Sequence, residues 1–96
     1  MQRYKIKIEY DGTPFVGWQF QKNGQSIQEV LQNAIFNFSG EKVVLAGAGR
    51  TDSGVHALAQ VAHFDLKKKI KRKSLLPAIN QNIGNKPITV LKINKT

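Results

Sequence analysis

Ninety-six residues carry fifteen Lys and Arg against six Asp and Glu, a formal charge of +9, and 41% of them are apolar. That length supports one modest core and excludes a second, and the absence of cysteine excludes disulfides and thiolate metal sites. A charge of this sign and density attracts polyanions, which puts nucleic acid first among partner classes, with lysine-mediated solubility as the bland alternative.

The opening Met1-Gln2-Arg3-Tyr4-Lys5 leads straight into alternation, without the continuous apolar stretch of a signal peptide or membrane span. The expectation is a cytoplasmic protein with no membrane partner. From Arg3 to Tyr10 the residues Tyr4, Ile6, Ile8 and Tyr10 fall on one face and Lys5, Lys7 and Glu9 on the other, which predicts a half-buried strand. Asp11-Gly12-Thr13-Pro14 breaks it with turn chemistry, and a long connection follows through Phe15, Trp18, Phe20 and Gln21 to Asn23-Gly24. Long loops of this kind tend to be functional.

Ser26 with Glu29 three residues later reads as a capping box. The stripe Ile27, Val30, Leu31, Ala34, Ile35 and Phe38 predicts a helix that leaves at Gly40. Lys42 to Ala46 is short and β-branched and reads as a second strand, and Leu58 to Leu66 as a third. After the lysine-rich run Lys67 to Lys73, a second helix is expected from near Ser74 to Gly84, with Pro77 in its first turn. Ile88 to Ile93, beyond Pro87, makes the last strand. The order β-α-β-β-α-β is that of an α+β, ferredoxin-like domain: an antiparallel sheet with two helices on one face and the other face free.

Between the second and third strands, Gly47-Ala48-Gly49-Arg50-Thr51-Asp52-Ser53-Gly54-Val55-His56-Ala57 holds three glycines, Gly47, Gly49 and Gly54. Glycines at this density let a backbone turn sharply or lie against a ligand. A phosphate-binding P-loop fails because Val55-His56 stands where Lys and Ser or Thr are needed. A dinucleotide fingerprint from Gly47 fails because Asp52 stands where glycine or alanine is required. In an extended segment Arg50 and Asp52 project the same way, so the guanidinium would hold the carboxylate ionised under a bound substrate. Such a carboxylate suits attack on a sugar carbon or stabilisation of positive charge there. An ion pair that merely stiffens a turn fits the same spacing. His56 and His63 lie seven apart with no third ligand nearby, so no metal site is expected, and His56 reads as a brace for the loop.

Gly-Arg-Thr-Asp-Ser-Gly-Val-His-Ala, from Gly49 to Ala57, resembles the active-site motif of the TruA family of tRNA pseudouridine synthases, in which the aspartate is essential. Two further blocks match it in order: Tyr10-Asp11-Gly12-Thr13-x-Phe15-x-Gly17-Trp18-Gln19-x-Gln21, and Ser26-Ile27-Gln28 with its helix. Ser53 stands where alanine is frequent in the family. The resemblance covers the chain as the family's amino-terminal half, residues 1–96, and implies isomerisation of uridine to pseudouridine in the anticodon arm of tRNA, without cofactor or metal. It implies that Asp52 acts at the ribose of an everted uridine, as nucleophile or as base, while Arg50 pairs with it and helps keep the nucleotide out of the stack.

By the same resemblance Gln19 and Gln21 lie near the RNA, and the complete enzyme is a homodimer. A carboxy-terminal half, absent from these residues, supplies the stacking tyrosine and a basic residue opposite the aspartate, so this stretch alone is expected to be inactive. The Trp18 loop offers aromatic faces and amides to unpaired nucleotides, with burial of Phe15 and Trp18 as the favoured alternative. Arg3, Lys22 and the Lys67 to Lys73 run are expected to contribute mainly field. The rival reading is a non-catalytic RNA-binding module on the same scaffold, but Ala59 to Leu66 has only Phe64 as an aromatic and lacks that module's aromatic signature.

Overall fold

The computed structural model describes residues 1–19, 22, 24–47, 57–68 and 70–96. Six elements follow one another: β1 (Gln2–Tyr10), α1 (Ile27–Ser39), β2 (Ala46–Gly47), β3 (Ala57–Leu66), α2 (Arg72–Ile83) and β4 (Ile88–Lys95). The strands form one antiparallel sheet in the order β2-β3-β1-β4, so each helix carries the chain over one intervening strand. This is the βαββαβ, ferredoxin-like arrangement expected from the hydrophobic periods.

Period-two alternation sends Tyr4, Ile6, Ile8 and Tyr10 of β1 inward, with Ala62, Phe64 and Leu66 of β3 and Ile88, Val90 and Ile93 of β4. Tyr4 and Phe64 face each other across the β1–β3 pair with ring centroids 5.7 Å apart. The helices close this face with Ile27, Val30, Leu31, Ala34 and Ile35 from α1 and Leu75, Ile79 and Ile83 from α2, and they also pack on each other. Neither described helix covers the opposite face of the sheet, which displays Lys5, Lys7, Lys92 and Asn94.

Helix α1 starts where expected: Ser26 is extended and its hydroxyl accepts from the Glu29 N–H at 3.1 Å. Gly40, at φ 75°, ends it in the left-handed region that a glycine enters without strain, and its N–H returns to the Phe36 carbonyl.

Three elements differ from the sequence reading by two residues or more at a boundary. The second strand is two residues long instead of five, because Leu45 is bonded elsewhere: its N–H donates to the Gln32 side chain and its carbonyl accepts from Gln28, each at 2.9 Å. Residues 42–45 still alternate, Val43 and Leu45 inward and Lys42 and Val44 outward, without a sheet neighbour among the described residues. Helix α2 begins at Arg72, two residues before Ser74, with Lys71 as a cap that makes no side-chain bond. Pro77 therefore sits in the second turn, where it forfeits a bond to the Lys73 carbonyl. Finally, β4 runs on to Lys95.

Candidate active-site end of the sheet

Three strand ends converge at one end of the sheet. Tyr10, the last residue of β1, pairs with Ala57 at the start of β3 and with Ile88 at the start of β4. The Asp11 N–H then bonds the Pro87 carbonyl at 3.0 Å. Gly47, which closes β2, pairs with Ala62. The glycine-rich stretch thus springs from two paired strands, and the aromatic loop after β1 leaves beside its downstream end. The first two sequence blocks singled out above, far apart in the chain, are rooted together by this register.

The loop after β1 is folded onto the start of α1. Asp11 accepts from the Thr13 N–H at 2.9 Å, an Asx turn, and the Phe15 N–H returns to the Gly12 carbonyl. The Val16 N–H bonds the Gln25 carbonyl, and the carbonyls of Gly17 and Trp18 accept from the N–H groups of Ile27 and Gln28. With Ser26 taking Glu29, the first three N–H groups of α1 are all satisfied by the chain itself. The positive end of this helix is closed to a phosphate, although an open helix start is the usual place for one.

Trp18 is 2% exposed, and its indole lies 6.5 Å from the Tyr10 ring; Phe15 is buried as well. Both rings fill the space beneath the loop, the alternative favoured for them, and Trp18 presents no open face for a base to stack on. Gln19 and Lys22 are exposed on the same loop.

Arg3 is on the open sheet face, where it grips Asp65 with two bonds, Nε to Oδ1 at 2.8 Å and one terminal nitrogen to Oδ2 at 3.1 Å. The guanidinium holds the Asp65 carboxyl below its ordinary range, through the hydrogen bond first and charge second. Lys68 of the lysine run is likewise engaged, its ammonium donating to the Ser39 carbonyl at the end of α1.

Asp52, Arg50, Gly49, Gly54, His56 and Gln21 lie outside the described residues, as does the whole block from Gly49 to Ala57 apart from Ala57 itself. His63 is half-buried on β3, opposite Lys5. Among the described residues no three His, Cys, Asp or Glu side chains are grouped to hold a metal. None of the described helices is long and apolar enough to cross a membrane. Sequence reasoning gave no role to Gln28 and Gln32, which clamp the chain just ahead of Gly47. Their signal was two amides four residues apart on one helix face.

Residues 6–95 match the family model for tRNA pseudouridine synthase. The chain belongs to that family. Among the pseudouridine synthase relatives, the tRNA pseudouridine synthase A of Wolbachia pipientis wMel is 57% identical over 90 residues, 93% of this chain and 37% of its own length. That of Pelagibacter ubique is 55% identical over 96 residues, 99% of this chain and 39% of its own. The Parvibaculum lavamentivorans protein is 49% identical over 92 residues, 96% of this chain and 37% of its own. The chain therefore spans less than two fifths of the pseudouridine synthases it resembles. The match includes the whole stretch from Gly47 to Ala57, so the proposed catalytic motif falls inside the family region.

Proposed function

We propose that these residues are the amino-terminal half of a tRNA pseudouridine synthase that isomerises uridine in the anticodon arm, in the cytoplasm and as a homodimer when complete. The observation that carries this reading is the family match across residues 6–95, which takes in Gly49 to Ala57. The pairing of Tyr10 with both Ala57 and Ile88 supports it, since it roots the downstream end of that stretch beside the loop that carries Gln19.

The reaction is an isomerisation and balances without an outside reagent. The bond from uracil N1 to the ribose anomeric carbon breaks, the base turns over, and carbon 5 bonds that anomeric carbon. Carbon 5 then releases its proton and N1 gains one. No redox step is involved. Asp52 acts at the ribose, either by bonding the anomeric carbon or by removing a ribose proton, and Arg50 keeps it ionised. One carboxylate suffices because the detached base stays in the site, unlike the paired carboxylates of glycoside hydrolysis.

Tritium release from [5-³H]uridine-labelled tRNA tests this in a chain completed by the segment its relatives carry. Asp52→Asn abolishes release while tRNA affinity stays within about threefold, as expected for a group that acts in the transition state. Retained release by that variant overturns the assignment of Asp52, and release catalysed by residues 1–96 alone overturns the expectation that this stretch is inactive without its downstream segment.

A further inference from the structure

On the open face of the sheet, Lys5 and Lys7 stand two residues apart on β1, and Lys92 faces Lys7 across the β1–β4 pair. Like charges directly opposite on neighbouring strands are destabilising, and here a backbone irregularity creates the juxtaposition. Ile8 pairs with Val90 and Lys7 with Lys92, so Leu91 is an extra residue, a β-bulge. Regular pairing would set Leu91 opposite Lys7. The bulge puts an ammonium there instead, while Val90 and Ile93 both stay buried. Bulges re-aim side chains in this way and concentrate at sheet edges and beside functional sites.

The described carboxylates of this face stand at its margins, Asp65 bound to Arg3 and Glu9 opposite Thr89 at the end of the strand. Among the described residues Lys5, Lys7 and Lys92 form no ion pair. Together with Val61 and Asn94 they line a hollow of about 130 Å³. Small-molecule pockets run to ~300–1,000 Å³ and enclose their ligand, so this hollow suits a group laid across it. Described residues of this face include no Phe, Tyr or Trp on which a base would stack.

We propose that Lys5, Lys7 and Lys92 seat the phosphodiester backbone of RNA on the open face of the sheet. The ammonium groups meet the phosphates, and the Asn94 amide and Val61 side chain meet the sugar edge. Contacts of this kind position a strand without reading its sequence. The inference rests on the tRNA-modifying reading above and deepens it by naming where the strand lies.

The test uses the chain completed by its downstream segment and an unmodified anticodon stem-loop RNA, with affinity followed by fluorescence anisotropy against salt. The variant Lys5→Gln, Lys7→Gln, Lys92→Gln is compared with Lys42→Gln, Lys86→Gln, Lys95→Gln, which removes equal charge away from this face. The first lowers the slope of log affinity against log salt by about 2, at roughly 0.7 per lost phosphate contact, and the second by less than half as much. Thermal midpoints of the first variant stay level or rise, since the Lys7–Lys92 repulsion is gone. Equal losses from both variants, or none from the first, overturn the seat while leaving turnover and the Asp52 assignment standing. Lysine acetylation read by mass spectrometry supplies a second arm, in which RNA protects residues 5, 7 and 92. Protection before RNA is added means that a protein segment covers the face, and it overturns the proposal. Failure of the unaltered chain to bind the RNA overturns this inference and the tRNA reading together.

Discussion

Glu41 accepts two backbone N–H bonds, from Lys67 at 2.8 Å and Lys68 at 3.1 Å, and the Lys68 ammonium meanwhile caps the Ser39 carbonyl at 2.9 Å. These bonds hold the Glu41 carboxyl below its ordinary value of 4.5, with the two N–H donors as the main cause and the two lysine charges adding to them. A carboxyl depressed in the folded state stabilises the fold above its unfolded value and loses that contribution as pH falls through the folded one. The thermal midpoint is therefore expected to hold from neutrality down to about pH 4.5 and to decline below it. In Glu41→Gln the decline is shallower, which thermal melts followed by circular dichroism will show. Asp65 retains its own share in both proteins, so the slope is reduced and not removed.

Gly24 is decided by space instead of charge. A Cβ built there would lie 2.4 Å from the Cγ1 methyl of Val16, a β-branched side chain with little rotamer freedom. Gly24→Ala should cost about 1–2 kcal/mol in urea unfolding, the range of a small overpacking. Adding Val16→Ala should recover part of that cost in a double-mutant cycle, which identifies the methyl as the obstacle.

At the scale of elements, the β2 region shows why some of the fold was legible in the sequence and some was not. Strands β1 and β3 and helix α1 are carried by their own hydrophobic periods and, for α1, by Ser26 and Gly40 at its ends. The expected boundaries lie within a residue or two of the observed ones. Lys42 to Ala46 has the same alternation, but its hydrogen-bond partner is a helix side-chain pair, and periodicity carries no information about partners. Likewise the start of α2 depends on Lys71, a residue that gives no capping signal. Arg50 and Asp52 were legible only as a charge pair in a glycine-rich stretch, and the catalytic role proposed for them rests on the resemblance of that stretch to the family motif. The bulge at Leu91 was not legible, since it is a property of register between strands more than eighty residues apart in sequence.

The clamp on Leu45 makes a prediction of its own. Leu45 is fully buried, so removing either glutamine leaves a backbone group without its bond, at a cost of about 1–3 kcal/mol. Gln32→Glu keeps an acceptor for the Leu45 N–H and should cost less than Gln32→Ala. Hydrogen exchange at the Leu45 amide distinguishes the two: it accelerates sharply in the alanine variant and only slightly in the glutamate one. Equal exchange in both would mean that the bond does not hold this segment.

For the whole molecule, the strand order interleaves the two βαβ units, since β3 lies between β2 and β1 while β1 lies between β3 and β4. Neither unit can pair its strands without the other, and the β1–β3 register joins residues about sixty apart, as in Tyr4 with Phe64. One cooperative transition is expected from such a topology, with folding slower than in helical domains of this length because non-local pairs must close first. The single tryptophan tests how far that cooperativity reaches. Trp18 sits on the loop after β1, yet its ring is in the core beside Tyr10 and its carbonyl holds the first turn of α1. The loop should therefore unfold with the sheet. Urea transitions by tryptophan emission and by far-ultraviolet circular dichroism are expected to coincide within error, with one slope of about 1–3 kcal/mol/M. A red shift that precedes the loss of ellipticity would show that the loop opens by itself. Trp18 would then become accessible to a nucleotide at low cost, and its burial would describe only the closed state.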